Sequence, residues 1–267
     1  MSQEPFFFES ETESVFGVYH APETLADRDV GVVIAPPWGR EYLKAHRALR
    51  QLAVRFSRSG FHVLRFDFRG CGDSAGDAVA VDLESWKRDV GAAIEELRDR
   101  SGVSRVAIVG LRLGATVALL AAGKRRDVAA LALWEPVLSG TDYVIELASL
   151  ARSWSKGLRI EPAPLPVGIR SDVMGFALGE RLAQSLESLS LEFARRPAGK
   201  VLLLSEEPPT GDAERLLGNL RELGASTSDQ RAPEAKVWSD SEDGVARALI
   251  PQAILGNIVD WVASEVA

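Results

Sequence analysis

A five-residue turn with a glycine at each end is the part of this sequence most typical of a catalytic site. It runs from Gly110 to Gly114 with Arg112 at its centre, and a buried apolar segment precedes it. Between a strand and a helix, this spacing is typical of a nucleophile elbow, whose central residue has a strained backbone and whose flanking positions must be small. A guanidinium stays protonated at neutral pH and has no lone pair to offer. Arg112 is therefore excluded as a nucleophile.

The histidines of the chain do not suit a catalytic triad on this turn. Such triads follow the chain order nucleophile, acid, histidine. His20, His46 and His62 are the only histidines, and all precede Arg112. The sequence therefore argues against an ordinary serine hydrolase.

Arg112 needs a negative partner at this position. We expect its side chain to enter a pocket at a helix N-terminus, where backbone N–H groups would otherwise form an oxyanion hole. The helix dipole disfavours a cation there by about 0.3 to 1 kcal/mol. Either a ligand anion or a protein carboxylate can compensate the charge. The candidate carboxylates are Glu41, Asp67, Glu135 and Glu206.

Cys71 and Ser74 lie in a glycine-rich turn, residues 69–76, which is expected at the same edge of the sheet. Cys71 is a candidate nucleophile with His46 as its base, or else a small packed residue. His46 is alternatively a solvated residue on a charged helix face. We expect the Ser74 hydroxyl to hydrogen-bond a nearby backbone N–H.

Composition excludes several classes of function. The chain has 46% hydrophobic and 26% charged residues and a formal charge of −7, which argues against a nucleic-acid partner. No histidine-cysteine cluster predicts a metal site, and no glycine pattern matches a dinucleotide or nucleotide motif, so no cofactor is expected. The N-terminus lacks the pattern of a signal peptide or membrane span, and one cysteine fits a reducing compartment. We expect a cytoplasmic protein.

Alternating apolar runs and helical periods predict an α/β fold with a mostly parallel, doubly wound sheet. A change of pattern from Ser139 predicts a helical lid at residues 139–197, with helices at 143–154 and 172–189 around a proline-rich connector. The core is then expected at 1–138 and 198–267. Its predicted strands are 30–35, 62–67, 105–109, 128–134, 200–205 and one ending near Trp238, and its helices include one beginning near Asp82 and one closing the chain from Ile250.

Several segments together resemble a known superfamily. They are residues 36–42, 46–50, 61–77, 110–115 and 133–137. They look like the α/β-hydrolase-superfamily proteins called exosortase-system-associated hydrolases and their serine-aminopeptidase-like relatives, which also carry arginine at the elbow. The resemblance implies an α/β-hydrolase fold and an association with ester, thioester or amide hydrolysis.

Three hypotheses about function follow. The first is a degenerate hydrolase that binds a small anionic or acyl-bearing ligand in the former active-site pocket. The second is an atypical hydrolase or acyl transferase that uses Cys71 as nucleophile or Arg112 as electrophile. The third is a non-catalytic scaffold that binds a partner protein through the lid. For the first, the expected ligand-binding residues are Arg112, Leu113, Pro37, Trp38, Gly39, Glu41 and Glu135.

Overall fold

A computed structural model describes residues 3–24, 28–158, 164–231, 236–239 and 250–266. Its centre is an eight-stranded sheet, and a separate two-stranded hairpin lies in the 139–197 segment. The strands are β1 (Gln3–Ser10), β2 (Glu13–His20), β3 (Val30–Ala35), β4 (Val63–Phe66), β5 (Arg105–Leu111), β6 (Val128–Trp134), β7 (Ile169–Val173), β8 (Phe176–Gly179), β9 (Lys200–Ser205) and β10 (Ser226–Arg231).

The strand order in the large sheet is β1-β2-β4-β3-β5-β6-β9-β10. The six strands from β4 to β10 in this order are parallel, whereas β1 and β2 pair antiparallel at one edge. The helices are α1 (Arg40–Arg58), α2 (Leu83–Ser101), α3 (Leu113–Ala122), α4 (Gly140–Leu158), α5 (Glu180–Glu187), α6 (Asp212–Glu222) and α7 (Gln252–Glu265). The predicted mostly parallel α/β architecture is confirmed.

Helices cover both faces of the sheet because the central strands are apolar on both sides. In β5, Val106 and Ile108 pack with α2 and α3, whereas Ala107 and Val109 pack with α1 and α7. Continuous apolar strands of this kind are typical of parallel sheets buried on both faces. Because the six strands run in the same direction, their C-terminal ends share one side of the sheet, which we call the carboxyl edge. Their N-terminal ends share the opposite side, which we call the amino edge.

Most predicted core elements are confirmed, including β3, β6 and β9 at the predicted bounds and a helix capped by Asp82. The N-terminal hairpin of β1 and β2 was not predicted. Its aromatic residues pack onto the sheet, and the ring of Phe8 lies 6.5 Å from that of Phe66.

Two predicted elements are wrong. The helix expected at 172–189 begins only at Glu180, because Met174 and Gly175 have φ values of 56° and 92° and turn the chain between β7 and β8. The Gly175 N–H donates to Asp172 Oδ1 at 2.6 Å and supports this turn. Left-handed backbone at two successive residues is incompatible with a helix.

The strand expected near Trp238 lies earlier in the chain. It is β10, an edge strand whose polar sequence lacks the apolar run that marks the central strands. Trp238 instead packs with Trp134, their ring centroids 6.1 Å apart. Of the described helices, none is long and apolar enough to cross a membrane.

Candidate active site

The turn from Gly110 to Gly114 forms a sharp bend between β5 and α3. Arg112 has φ 53° and ψ −125°, a conformation that L-residues rarely adopt. A Cβ atom at Gly110 would lie 2.3 Å from Ala115 Cα, and one at Gly114 would lie 2.2 Å from the Pro36 carbonyl oxygen. Both contacts involve backbone that cannot move away, so both positions require glycine.

Two hydrogen bonds fix this bend to the end of β6. The Arg112 N–H donates to the Trp134 carbonyl at 2.9 Å. The buried Thr116 hydroxyl, one helical turn later, donates to the Val137 carbonyl at 2.7 Å. The position of the Arg112 side chain at the carboxyl edge is therefore set by the core.

Two carboxylates hold the Arg112 guanidinium. Its Nε donates to Glu41 Oε1 at 2.7 Å, and its Nη2 donates to Glu146 Oε2 at 2.9 Å. The Tyr143 hydroxyl donates to the other oxygen of Glu41 at 3.0 Å. We call these four residues the Arg112 cluster. It joins the bend to the start of α1 and to α4 of the 139–197 segment.

The two carboxylates of the cluster differ in exposure. The side chains of Arg112 and Glu41 are 13% and 11% exposed, whereas that of Glu146 is 50% exposed. The Tyr143 and Trp238 rings lie 5.4 Å and 5.8 Å from the guanidinium carbon, within cation–π range. Glu41 is thus an inner partner and Glu146 an outer one.

Burial and the charges within the Arg112 cluster shift the pKa values of its residues. Burial alone would lower the pKa of Arg112, but Glu41 and Glu146 raise it above its ordinary value. Burial raises the pKa of Glu41, and the Arg112 charge opposes this rise only in part. The pKa of the buried Tyr143 is raised well above its ordinary value by burial and by Glu41. Arg112 therefore remains a cation, with its charge already compensated.

Of the carboxylates predicted as partners, only Glu41 pairs with Arg112. Glu135 accepts a hydrogen bond from the Glu206 N–H at 2.5 Å, and Glu206 pairs with Lys236 at 2.9 Å. Leu113, also predicted to bind ligand, is buried in the core. Sequence reasoning missed Glu146 and Tyr143. Their spacing of three residues on a predicted helix places them on one face, but nothing in it indicates which face meets Arg112.

A cavity of about 310 Å³, which we call the Trp38 cavity, is lined in part by Gly39 and Tyr42, on either side of Glu41 in the chain. Three of the predicted ligand-binding residues, Pro37, Trp38 and Gly39, line it, whereas Arg112, Glu41 and Glu135 do not. The other lining residues come from the β3–α1 loop, from α1, from the segment that follows β4 and from the β7–β8 hairpin. They are Pro36, Tyr42, Asp67, Phe68, Gly70, Cys71, Gly72, Ala78, Gly175, Phe176 and Ala177.

Asp67 is the carboxylate of the Trp38 cavity. Its Oδ1 accepts from the Tyr42 hydroxyl at 2.7 Å, and its Oδ2 accepts from the Asp73 N–H at 3.1 Å. Burial raises the pKa of Asp67, although these hydrogen bonds oppose the rise. Gly72 packs so closely against this carboxylate that a Cβ atom there would lie 2.1 Å from Oδ2. Asp67 is therefore a rigid acceptor in a largely apolar cavity.

The environment of Cys71 disfavours a nucleophilic role. Burial raises the pKa of its thiol to about 12, and Asp67 and Asp89 add to this rise. His46, the predicted base, is exposed, its Nδ1 lies 2.8 Å from the Leu43 carbonyl oxygen, and it does not line the Trp38 cavity. A thiolate is the reactive form of cysteine, and here it is suppressed.

Ser74 has a structural role. Its hydroxyl accepts from the Phe16 N–H at 2.8 Å and donates to the Asp67 carbonyl at 2.6 Å. The expected bond to a backbone N–H therefore exists, but it reaches β2 rather than the same turn. Among the described residues, no three histidine, cysteine or acidic side chains are grouped to hold a metal ion.

Comparison with known proteins identifies the relatives of this architecture. Residues 43–166 match the family model described as serine aminopeptidase, S33. No curated protein matches the sequence of the chain.

Solved structures match along almost the whole chain. Est1E from Butyrivibrio proteoclasticus with ferulic acid bound is 14% identical, with a TM-score of 0.64 and coverage of 98% of this chain and 99% of that chain. DcsB in complex with its substrate analogue is 17% identical, with a TM-score of 0.65 and full coverage of both chains. Proline iminopeptidase from Mycobacterium smegmatis is 13% identical, with a TM-score of 0.62 and coverage of 98% and 99%. At identities this low, the similarity to these structures establishes a shared fold and nothing further.

Proposed function

We propose that this chain, a member of the α/β-hydrolase superfamily, is a degenerate hydrolase that binds a small, neutral, acyl-bearing ligand in the Trp38 cavity. The observation that carries the proposal is the position of Arg112. It occupies the centre of the elbow, and its guanidinium is already engaged by Glu41 and Glu146. The Trp38 cavity is lined mainly by aromatic and small residues.

The loss of triad chemistry rests on two residue types. Acyl transfer on this fold needs a nucleophile at the elbow and a histidine late in the chain. Arg112 cannot supply the first, and the three histidines all precede residue 63. Residues 240–249, the part of the sequence where that histidine would be expected, contain none.

The neutral ligand is favoured over the anionic one by the charges present. An anion would have to displace Glu146 from Arg112, because Glu41 is buried and held by Tyr143. Inside the Trp38 cavity an anion would meet Asp67, and the described residues that line this cavity include no cationic side chain. A neutral ester or amide is not repelled by Asp67 and does not have to displace Glu146. Its hydrocarbon part can pack against the rings of Trp38 and Phe176.

Two probes that differ in charge test this proposal. Ethyl ferulate and ferulic acid share one aromatic body, but only the second carries a carboxylate, and ferulic acid is the molecule bound to Est1E. We expect ethyl ferulate to bind more tightly, as measured by isothermal titration calorimetry. Phe176→Ala should weaken its binding about fivefold or more, since truncating an aromatic ring that a ligand covers costs over about 1 kcal/mol.

Phe7→Ala is the matched control for Phe176→Ala. Phe7 is an exposed aromatic residue of β1 and does not line the Trp38 cavity, so its variant should bind ethyl ferulate like the wild type. Equal loss in both variants, or tighter binding of ferulic acid, would contradict the proposal.

The absence of serine-hydrolase chemistry has its own test. We expect no labelling of the wild-type protein by a fluorophosphonate probe, and no esterase activity in Arg112→Ser, because the substituted elbow still lacks a base. Esterase activity in Arg112→Ser that a serine-directed inhibitor abolishes would overturn this part of the proposal.

A scaffold function is the second candidate, and exposed apolar residues on α4 favour it. Leu150 and Trp154, four residues apart on one face of α4, are 43% and 41% exposed. Contiguous exposed apolar side chains often mark binding surfaces. Loss of a partner complex in Leu150→Ser, together with its retention in Phe176→Ala, would favour this function over ligand binding.

A further inference from the structure

A second cavity, of about 580 Å³, lies at the amino edge of the sheet, opposite the elbow. We call it the amino-edge cavity. It is surrounded by the starts of β5, β6 and β9 and by the loops that precede β6 and β9. The length of β5 separates Arg105, in this cavity, from Arg112, at the elbow. At the usual rise per strand residue, the cavity and the elbow are therefore about 20 Å apart. The charged residues that line it are Arg105, Arg125, Arg126, Arg195, Arg196, Lys200 and Glu265.

Two of these cations have carboxylate partners. Arg125 pairs with Glu95 and Asp127, both at 2.5 Å. Lys200 pairs with Glu265 at 2.8 Å. These ion pairs offset the charge of only two of the six cations in the amino-edge cavity.

Among the residues that the structure describes, the other four arginines of the cavity form no ion pair. Arg195 donates from Nε to the Gly123 carbonyl at 3.0 Å, and Arg196 donates from Nη1 to the Gly224 carbonyl at 3.0 Å. A carbonyl oxygen orients a guanidinium without neutralising it. Arg105 and Arg126 have no ion-pair partner among the residues that the structure describes.

The local charge is positive in an acidic protein. The six cations of the cavity face four carboxylates, namely Glu265, the partners Glu95 and Asp127, and Asp29, which lies near Arg105 and whose pKa Arg105 helps to lower. The chain as a whole carries −7. This concentration of positive charge in one concave surface indicates an anion-binding site.

We propose that the amino-edge cavity binds a small molecule that carries two or more phosphate groups. Guanidinium groups bind phosphate oxygens through paired N–H donors, and four of them here form no ion pair with a carboxylate of the described residues. The cavity volume lies within the range of small-ligand sites, roughly 300 to 1,000 Å³. Several phosphates on one molecule match several cations on one wall better than a single charge does.

Binding of inorganic pyrophosphate and tripolyphosphate, measured by isothermal titration calorimetry, tests this site. We expect saturable binding that weakens as salt is added. The double variant Arg126→Gln and Arg196→Gln should bind pyrophosphate at least about tenfold more weakly, because charge-assisted hydrogen bonds are the strong ones. Arg105→Gln should give a smaller loss in the same direction and serves if the double variant does not fold.

Arg47→Gln with Arg152→Gln is the matched control, because it removes two cations from exposed helix positions outside the cavity. We expect it to leave the affinity for pyrophosphate within about twofold, given surface screening. Three outcomes would overturn the proposal. They are no saturable binding at millimolar pyrophosphate, an equal loss in the control, and binding of heparin or anionic phospholipid vesicles without binding of pyrophosphate.

Discussion

Two arginine clusters lie at opposite ends of the same parallel strands, and their partners differ in kind. At the carboxyl edge, Arg112 is paired with the carboxylates of Glu41 and Glu146. At the amino edge, Arg195 and Arg196 are held by backbone carbonyls. One arginine is therefore compensated by the protein itself, whereas the others remain available to an anion.

The difference shows that the partner of an arginine, rather than its burial or charge alone, decides what it can do. A buried guanidinium paired with a buried carboxylate ties elements together, and breaking the pair leaves an isolated charge. A guanidinium that donates only to a neutral acceptor keeps its net positive charge and can still attract an anion. The comparison predicts that removing an arginine lowers mainly the stability of the fold at the carboxyl edge and mainly the affinity for anions at the amino edge.

The largest effect is expected at the inner pair of the Arg112 cluster. Arg112→Met should lower the free energy of unfolding by about 3 to 5 kcal/mol, because it leaves Glu41 buried without its cation. The double variant Glu41→Gln with Arg112→Met should recover much of this loss. Urea unfolding measures both, and a loss below about 1 kcal/mol in Arg112→Met would show that the pair is not a structural tie.

Burial of Cys71, together with the nearby charges of Asp67 and Asp89, should suppress the thiolate form of its side chain. With its thiol pKa raised to about 12 from 9.0, the thiolate fraction at pH 8 should be about 1,000-fold below that of an unperturbed thiol. Alkylation by iodoacetamide should be correspondingly slow and should still accelerate as the pH rises above 10.

The urea-unfolded chain is the control for this measurement, because Cys71 is the only cysteine and every modification reports on it. Equally fast alkylation of the folded and unfolded chains at pH 8 would contradict the burial argument and restore Cys71 as a candidate nucleophile.

The outer partner of Arg112 should matter far less than the inner one. Glu146→Gln should change the free energy of unfolding by at most about 1 kcal/mol, because exposed ion pairs are screened by water. A loss as large as that of Arg112→Met, measured by urea unfolding, would mean that Glu146 is as essential as Glu41 and would remove the distinction between them.

The smallest change in stability is expected at the amino edge. Arg126→Gln and Arg196→Gln should each alter the free energy of unfolding by no more than about 0.5 kcal/mol, as for surface substitutions away from a buried network. A large loss in the same urea assay would assign these arginines a structural role like that of Arg112 and break the comparison.

Most of the central fold was predictable because its signals are local in the sequence. Apolar runs of strand length, the N-cap at Asp82 and the glycines of the elbow each follow from neighbouring residues. The hairpin at Met174 and Gly175 was missed, because its helix-like composition hid a turn that depends on two positive φ values. The edge strand β10 was missed because its polar sequence carries no burial signal.

The candidate site was predictable only in part. Arg112, Glu41 and the loop from Pro37 to Gly39 were expected near one another, because the carboxyl edge collects residues that follow parallel strands. Glu146 was not expected, since α4 reaches Arg112 through packing of the 139–197 segment. The amino-edge cavity was concealed by the net negative charge of the whole chain, although residues 124–126 are a run of three basic residues.

The sequence by itself determined the parallel α/β architecture, the arginine at the elbow and the lack of any histidine after His62, because these depend on residue type and short-range pattern. Only the tertiary structure decided that Glu41 and Glu146 compensate Arg112 while Arg195 and Arg196 keep their charge. Those partners lie tens of residues away in the chain, and electrostatic pairing depends on distance in space rather than on separation in sequence.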